Sequence, residues 1–250
     1  MTSDAMRAGT IAMTGHNGDE IEAYLAEPVG RGKVPGVVVI HHMPGYDRET
    51  KEICRTFAVK GYAALCPNLF HRFAPGANWA DAAAAARAAG GKSDEEMLGD
   101  VQGAIDHLRA LPDATGKIGV IGYCSGGRQT YIVACTLDVD AAVDCYGGRV
   151  VVDAPDQLTP QHPVAPIDMT PKMSAPLLGL FGDQDANPSP AHVAKMKEEL
   201  EAHGKDFEFH SYPEAGHGFF SVDYPNFNRD AARDGWKQIW KFFGEHLAAN

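Results

Sequence analysis

The most informative segment of the sequence is residues 119–128, which read Gly-Val-Ile-Gly-Tyr-Cys-Ser-Gly-Gly-Arg. A β-branched run reaches Gly122, the chain must turn sharply at Cys124, and a helix-competent segment follows, so the pattern predicts a strand, a tight turn and a helix. The spacing G-x-C-x-G is typical of a nucleophile on a strained turn, where the following helix N-terminus favours a thiolate. Because the chain contains 27 glycines, the motif alone leaves open a buried structural cysteine.

The composition is that of a protein with one large apolar core. Of its 250 residues 44% are hydrophobic, and no apolar run is long enough for a transmembrane helix. A net charge of −11 argues against nucleic acid or an anionic membrane as a partner. Residues 1–10 lack the apolar core of a signal peptide, and the five cysteines lack metal-site spacing. We therefore expect a cytoplasmic protein without a disulfide framework or a metal site.

Strand and helix patterns alternate along the whole chain. Residues 10–14 and 21–26 flank an Asn-Gly-Asp turn signal and predict an N-terminal hairpin. Residues 36–40 are a continuous β-branched run, which is typical of a strand buried on both faces. No linker divides the sequence, so we predict a single α/β domain over residues 1–250, with a mostly parallel sheet and helices on both faces.

Polar residues follow several of the predicted strands. Ligand sites in parallel α/β sheets form at the carboxyl ends of the strands. The residues that fall there are His42, Arg72, Cys124, Asp183, Asp185 and His217. Residues 147–171 contain five prolines and no periodicity, which predicts a long loop over one end of the sheet. Loops of this length are uncommon unless they bind ligands or act as lids.

Three of these residues are candidates for a catalytic triad. A thiol nucleophile needs a base, and the base needs a group that fixes its tautomer. Cys124 is followed first by Asp183 and Asp185 and then by His217, which lies between two glycines. This is the order of nucleophile, acid and histidine found in α/β-hydrolases. We favour Asp185 as the acid, although Asp183 lies nearer the strand end and remains a competitor.

Several short motifs extend over nearly the whole chain. They are Gly122-Tyr-Cys-Ser-Gly-Gly127, Cys66-Pro-Asn-Leu69, Arg72-x-Ala-Pro-Gly76, Gly182-x-x-Asp185 and Gly216-His217. As a set they resemble the dienelactone hydrolase family, and the set is far more specific than the cysteine motif alone. The resemblance implies an α/β-hydrolase fold, a triad of Cys124, His217 and Asp185, hydrolysis of a lactone such as dienelactone, and no cofactor.

Two features depart from the family pattern. The family has a glutamate in the loop after the third strand that helps to keep the thiol neutral, and the matching position here is His42. A histidine there is expected to hold a standing thiolate–imidazolium pair with Cys124, unless it faces solvent or only serves its own loop as a hydrogen-bond donor. The family also binds a substrate carboxylate with two arginines, of which Arg72 matches the first and no residue matches the second.

The missing arginine changes the expected substrate. Arg72 alone can still make a bidentate pair with a carboxylate. Six aromatic residues are candidates for an apolar pocket, and we expect about half of them to be ordinary packing residues. They are Phe73, Trp79, Phe219, Phe220, Tyr224 and Phe227. We therefore predict that His42, Arg72, Phe73 and Phe219 bind substrate, and that this substrate is less anionic or bulkier than dienelactone.

The predicted reaction is attack of the Cys124 sulfur on an ester or lactone carbonyl. The backbone N–H groups of Ser125 and Met43 stabilise the oxyanion, each worth roughly 3–4 kcal/mol. His217 protonates the leaving oxygen and then activates water on the thioester, while Asp185 orients His217. The alternatives are a non-catalytic ligand-binding protein of the same fold and a thiol redox protein. The expected partner is a small-molecule ester or lactone, and the expected assembly is a monomer or small homo-oligomer.

Overall fold

The structure is a computed structural model that describes residues 5–30 and 32–248. Strands and helices alternate along these residues. The strands are β1 (Met6–Thr14), β2 (Glu20–Pro28), β3 (Val34–Ile40), β4 (Ala63–Pro67), β5 (Ala114–Tyr123), β6 (Ala141–Cys145), β7 (Leu177–Gly182) and β8 (Phe207–Tyr212). The α-helices are α1 (Arg48–Lys60), α2 (Trp79–Ala88), α3 (Asp94–Arg109), α4 (Ser125–Thr136), α5 (Pro190–Ala202) and α6 (Arg229–His246). No helix in the described ranges is both long and apolar enough to cross a membrane.

Two compact units divide the chain at the end of β5. The first unit ends at Val120 and also includes Leu247, and the second unit is Ile121–His246. The order of neighbouring strands in the first unit is β1-β2-β4-β3-β5. In the second unit the last residues of β5 are the neighbours of β6, and β7 and β8 come next in the sheet. The single domain over residues 1–250 stays a prediction.

The predicted N-terminal hairpin is confirmed. β1 and β2 pair antiparallel from Met6 opposite Pro28 to Thr14 opposite Glu20. The connecting turn contains Asn17 at φ 55°. Asparagine adopts this left-handed conformation more readily than most residues, which is why it is a strong turn signal.

The core of the first unit lies around β3 and β4, which pair in parallel. Residues 37–40 of β3 are completely buried, as the β-branched run predicted. Helices α1 and α3 both pack on β3 and β4. Asp47 caps the first turn of α1 by accepting a hydrogen bond from the Thr50 N–H at 2.9 Å, so this carboxylate fixes where the helix begins.

The second unit contains the parallel strands β6, β7 and β8. Helix α4 packs on β6, and α6 packs on β6 and β7, which buries the apolar stripe of α6 through Ile239 and Phe243. Parallel pairing brings the carboxyl ends of these strands to one edge of the sheet, where α/β proteins place their sites. The mixed α/β architecture predicted from the sequence is confirmed.

The loop predicted over residues 147–171 contains only short 3₁₀ segments, Pro155–Gln157 and Pro166–Lys172. The second segment packs on α4, where the Tyr131 hydroxyl and the Thr170 hydroxyl are hydrogen-bonded. This contact fixes the C-terminal part of the loop to the helix that follows Cys124. The lid function of the loop stays a prediction.

Candidate active site

Cys124 lies on a sharp turn between β5 and α4, which we call the elbow. Its backbone has φ 56° and ψ −117°, a conformation that few residues other than glycine adopt. The Cys124 N–H donates to the Cys145 carbonyl at 3.0 Å, and the Cys124 carbonyl accepts from the Gly127 N–H at 3.0 Å. These bonds hold the strained residue in place. The predicted sequence of strand, turn and helix is therefore confirmed.

The glycines around Cys124 are required by close backbone contacts. A Cβ atom on Gly122 would lie 2.0 Å from the Gly126 carbonyl oxygen, and one on Gly127 would lie 2.3 Å from Asp144 Oδ1. Both distances are far below van der Waals contact. The elbow can form only because these positions lack side chains.

His217 is hydrogen-bonded to Asp185. Its Nδ1 lies 2.7 Å from Asp185 Oδ2, and the other oxygen of Asp185 accepts from the Asn187 N–H at 2.8 Å. Asp185 is only 6% exposed, whereas Asp183 is exposed to solvent. The structure therefore places Asp185, and not its competitor Asp183, on the imidazole. This is the contact that fixes a histidine tautomer in hydrolases with a triad.

The charge on His217 is stabilised by both neighbours. Burial alone would lower the pKa of His217, but hydrogen bonds to Asp185 and to Cys124 raise it to about 10. Because Nδ1 contacts Asp185, Nε2 is the nitrogen available to the Cys124 sulfur. A protonated His217 would lie between the Asp185 carboxylate and the Cys124 sulfur, where it could donate a proton from Nε2.

Aromatic rings pack around His217. The Tyr146 ring contacts the imidazole edge-on with its centroid 5.2 Å away, and the Phe219 ring lies 5.1 Å from Tyr146. Phe219 is completely buried and stacks on Phe220, so the structure gives it a packing role. Its predicted contact with substrate stays a prediction. Tyr146 was not among the sequence candidates, although its position directly after β6 was a usable signal.

Cys124 differs from the other four cysteines in its exposure. All five thiols are free, and Cys124 alone is partly exposed. Burial raises the pKa of Cys54 and Cys135 to about 12, and it raises the pKa of Cys66 and Cys145 well above the ordinary thiol value. Buried neutral thiols are poor nucleophiles. Alkylating reagents should therefore react selectively at Cys124.

His42 and Met43 follow β3 in the first unit. His42 is buried, and its Nε2 lies 2.6 Å from Asp47 Oδ2. Burial would raise the pKa of Asp47, but hydrogen bonds from His42 and Thr50 hold it below its usual value. His42 thus has a carboxylate partner and does not face solvent. Met43 is half-buried in the same loop. The contributions of both residues to catalysis stay predictions.

This loop and the first turn of α1 contain one group of potential metal ligands among the described residues. Ligand atoms of His42, Asp47 and Glu49 lie within 4.8 Å of one another. Two of these residues, His42 and Asp47, are bonded directly to each other. The absence of a metal site stays a prediction.

Arg72 belongs to a cluster of charged residues in the first unit. Its guanidinium donates two hydrogen bonds to the fully buried Asp100, at 2.9 and 3.0 Å, and one to Asp19 at 2.8 Å. Glu96 lies 3.0 Å away, and buried Lys92 also pairs with Asp100. Several carboxylates already neutralise this guanidinium, which gives it a role in stabilising the fold.

Binding of a substrate carboxylate by Arg72 stays a prediction. The same holds for Phe73, which is half-buried and packs against Phe70 with ring centroids 6.1 Å apart. The charged cluster could not be anticipated from the Arg72 motif alone, since its partners are distant in sequence.

A cavity of about 450 Å³ opens beside His217 and Asp185. Half of its other lining residues have polar side chains, and these are Gln184, Glu214, Asn226 and Asn228. Asn226 donates to the His217 carbonyl at 3.0 Å, and Asn228 donates to the Glu214 carbonyl at 2.9 Å. The side-chain amides of Asn226 and Asn228 therefore stabilise the loop that contains His217.

A strained cysteine at a strand–helix elbow, followed by a histidine–aspartate pair at later strand ends, defines an α/β-hydrolase. Comparison with known proteins agrees. Residues 21–247 match the model of the dienelactone hydrolase family, and the chain belongs to this family. It is accordingly a hydrolase.

Individual relatives are similar over nearly the whole length of this chain. A Methylorubrum extorquens protein named "Putative carboxymethylenebutenolidase" is 32% identical over 231 residues, which cover 92% of this chain and 78% of the relative. The structure of a Klebsiella pneumoniae protein described as "Putative Dienelactone Hydrolase" is 27% identical, with a TM-score of 0.85 over 96% of this chain and 99% of that one. An acylaminoacyl peptidase shares the fold alone, at 19% identity and a TM-score of 0.75, covering 98% of this chain and 42% of its own.

Proposed function

We propose that the protein hydrolyses a carboxylic ester or lactone through a covalent thioester on Cys124. The observation that carries this proposal is the linked set of Cys124, His217 and Asp185 at the elbow. A merely structural cysteine would have no need of a strained backbone, partial exposure and a protonated histidine beside it. A non-catalytic binding protein would have no need of the buried carboxylate on His217.

The first half of the reaction forms the thioester. The Cys124 thiolate attacks the carbonyl carbon, and the electron pair of the C=O bond moves to oxygen. The oxyanion then collapses and breaks the bond to the leaving oxygen, which takes the proton from His217 Nε2 and departs as an alcohol. In a lactone the alcohol stays attached to the acyl group. Asp185 stabilises the imidazolium during these steps.

The second half returns the enzyme to its starting state. Neutral His217 accepts a proton from water, and the resulting hydroxide attacks the thioester carbonyl. Collapse of the second oxyanion expels the Cys124 thiolate and releases the carboxylic acid, while His217 keeps its proton. Water is consumed and no redox step occurs, so the reaction needs no cofactor.

The oxyanion is stabilised by the start of α4. Because this helix begins at Ser125, the Ser125 N–H has no carbonyl partner within the helix and is placed beside the nucleophile. The positive end of the helix dipole adds to its effect. Met43 N–H remains the predicted second donor, typically worth roughly 3–4 kcal/mol.

The names of the relatives favour a lactone as the substrate, since the Methylorubrum extorquens protein is named a carboxymethylenebutenolidase. The sequence has no match for the second arginine with which the family binds a substrate carboxylate, and this favours a substrate with less negative charge than dienelactone. We therefore propose a small neutral ester or lactone, turned over in the cytoplasm by a monomer or small homo-oligomer.

Hydrolysis of p-nitrophenyl acetate, p-nitrophenyl butyrate and a dienelactone tests the proposal. Wild-type protein and Cys135→Ala, which removes a buried thiol of α4, should turn over at least one of them. Cys124→Ala should turn over none. Equal turnover by Cys124→Ala would contradict the proposal. Rapid alkylation of Cys124 without turnover of any ester would favour the thiol redox alternative.

A further inference from the structure

Asp144 is a buried carboxyl group that the proposed reaction does not use. It lies in β6, in an otherwise apolar strand, and has no exposed surface. Its Oδ1 accepts a hydrogen bond from the Gly147 N–H at 2.7 Å. Its Oδ2 is buried without a hydrogen-bond partner among the described residues. A buried carboxyl oxygen without a partner is costly, so its presence in the core calls for an explanation.

Two glycines make room for this carboxyl group. A Cβ atom on Gly127, in the first turn of α4, would lie 2.3 Å from Asp144 Oδ1. A Cβ atom on Gly147 would lie 2.4 Å from the same oxygen and 2.5 Å from the Arg128 nitrogen. The carboxyl group therefore lies between the start of the elbow helix and the turn that follows β6.

The residues next to Asp144 contact both halves of the candidate active site. The Cys145 carbonyl accepts the hydrogen bond from the Cys124 N–H. Tyr146 has φ 44°, donates from its N–H to the Leu180 carbonyl at 2.9 Å, and places its ring against His217. The bond from Gly147 to Asp144 closes the turn that contains Tyr146. The Asp144 carboxyl group thus lies next to two parts of the site, the turn that contains Cys124 and the turn that places the Tyr146 ring against His217.

We infer that Asp144 is a positioning residue that fixes the elbow and the Tyr146 ring relative to each other. This inference rests on the proposed function of Cys124 and His217. Asp144 acts through the backbone of Gly127 and Gly147 and does not touch the reacting atoms.

The surroundings of Asp144 favour its neutral form. Burial raises its pKa to about 7, and only the Gly147 N–H opposes this shift. Among the described residues, the titratable groups that interact with it are the Cys145 thiol and the Tyr131 hydroxyl, and burial raises the pKa of both. They are therefore neutral at pH 7 and cannot balance a carboxylate. The buried Arg128 in the first turn of α4 is not among the groups that shift the pKa of Asp144. Ionisation above pH 7 would place an uncompensated charge between α4 and β6 and disturb their packing.

The test compares Asp144→Asn with wild type over pH 5.5–9. Asparagine keeps the oxygen that accepts from Gly147 but carries no charge at any pH. The ratio of kcat for Asp144→Asn to kcat for wild type should be near one at pH 6 and should rise several-fold above pH 7, with KM little changed. Asp168→Asn, an exposed carboxylate in the same unit, should give a constant ratio. A constant ratio for Asp144→Asn would overturn the inference.

Two further measurements test the inference, and the first of them does not depend on turnover. Infrared difference spectra of wild type should contain a protonated carboxyl band that disappears near pH 7 and is missing in Asp144→Asn. Asp144→Ala, which removes the acceptor for Gly147, should lower kcat at least tenfold at pH 6. Wild-type kcat in Asp144→Ala, or no such infrared band, would overturn the inference. Loss of turnover in Cys124→Ala tests the proposed function separately, and the infrared band does not depend on it.

Discussion

The bond between Asp185 and His217 leads to the most specific prediction of this structure. In Asp185→Asn the side chain keeps its size but loses its charge, and its amide group can turn its N–H toward His217 Nδ1. The imidazole then loses both its stabilised cation and its fixed tautomer. We expect kcat/KM for ester hydrolysis to fall.

The size of the effect can be estimated from the charge on His217. Its pKa of about 10 lies above the ordinary 6.5, which corresponds to about 5 kcal/mol shared between Asp185 and Cys124. The His217 side chain is 36% exposed, so solvent screening reduces this figure. A hydrogen bond to a charged group contributes about 1.5–3 kcal/mol. We therefore expect a loss of roughly 10- to 160-fold in kcat/KM.

The assay is p-nitrophenyl acetate hydrolysis at pH 7, with Asp183→Asn as the matched control. Asp183 lies in the same loop and is exposed, so its replacement should change kcat/KM less than twofold. Thermal unfolding of both variants checks that the fold is intact. Wild-type kcat/KM in Asp185→Asn would show that the bond between Asp185 and His217 does not support turnover. The same would follow if Asp183→Asn lost as much activity as Asp185→Asn.

Three further predictions concern stability. Gly122→Ala should destabilise the protein by about 1–3 kcal/mol in urea unfolding, because its Cβ would lie 2.0 Å from the Gly126 oxygen. Arg72→Ala should cost about 3 kcal/mol by leaving Asp100 with fewer partners, whereas a raised KM at unchanged stability would assign Arg72 to substrate binding. For Asp144, the folded pKa of about 7 exceeds the ordinary 3.8, so stability is lost as pH rises from about 4 through 7. Between pH 4 and pH 8 the free energy of unfolding of wild type should therefore fall by up to about 4 kcal/mol relative to that of Asp144→Asn. Parallel curves of this free energy against pH for the two proteins would contradict the prediction.

Local patterns explain why the elbow and the hairpin were predictable. Gly122, Cys124 and Gly127 are neighbours in sequence, and the backbone geometry they allow is set by residues close to them. The choice between Asp183 and Asp185 was harder, because it depends on a turn. The Asp185 N–H bonds back to the Gly182 carbonyl at 3.1 Å, and in this turn Asp185 is the carboxylate that is buried against His217.

Interactions between distant residues limited the rest of the prediction. The motif around Arg72 predicts substrate binding, but it does not indicate the carboxylate partners Asp19 and Asp100, which lie far away in sequence. No periodicity reveals such a charged cluster. The proposed role of Asp144 rests on its proximity to Gly127 and Gly147, which the sequence pattern of β6 does not indicate.

The most direct test of a covalent mechanism at Cys124 is mass spectrometry of the acid-quenched protein during turnover of p-nitrophenyl acetate. We expect a population of protein heavier by one acetyl group, with the acetyl located by peptide mapping on Cys124. Cys124→Ala should show no such species, and Cys135→Ala should show it as wild type does. Turnover without any acetylated Cys124 in wild type, or acetylation at another residue, would rule out a covalent mechanism at Cys124.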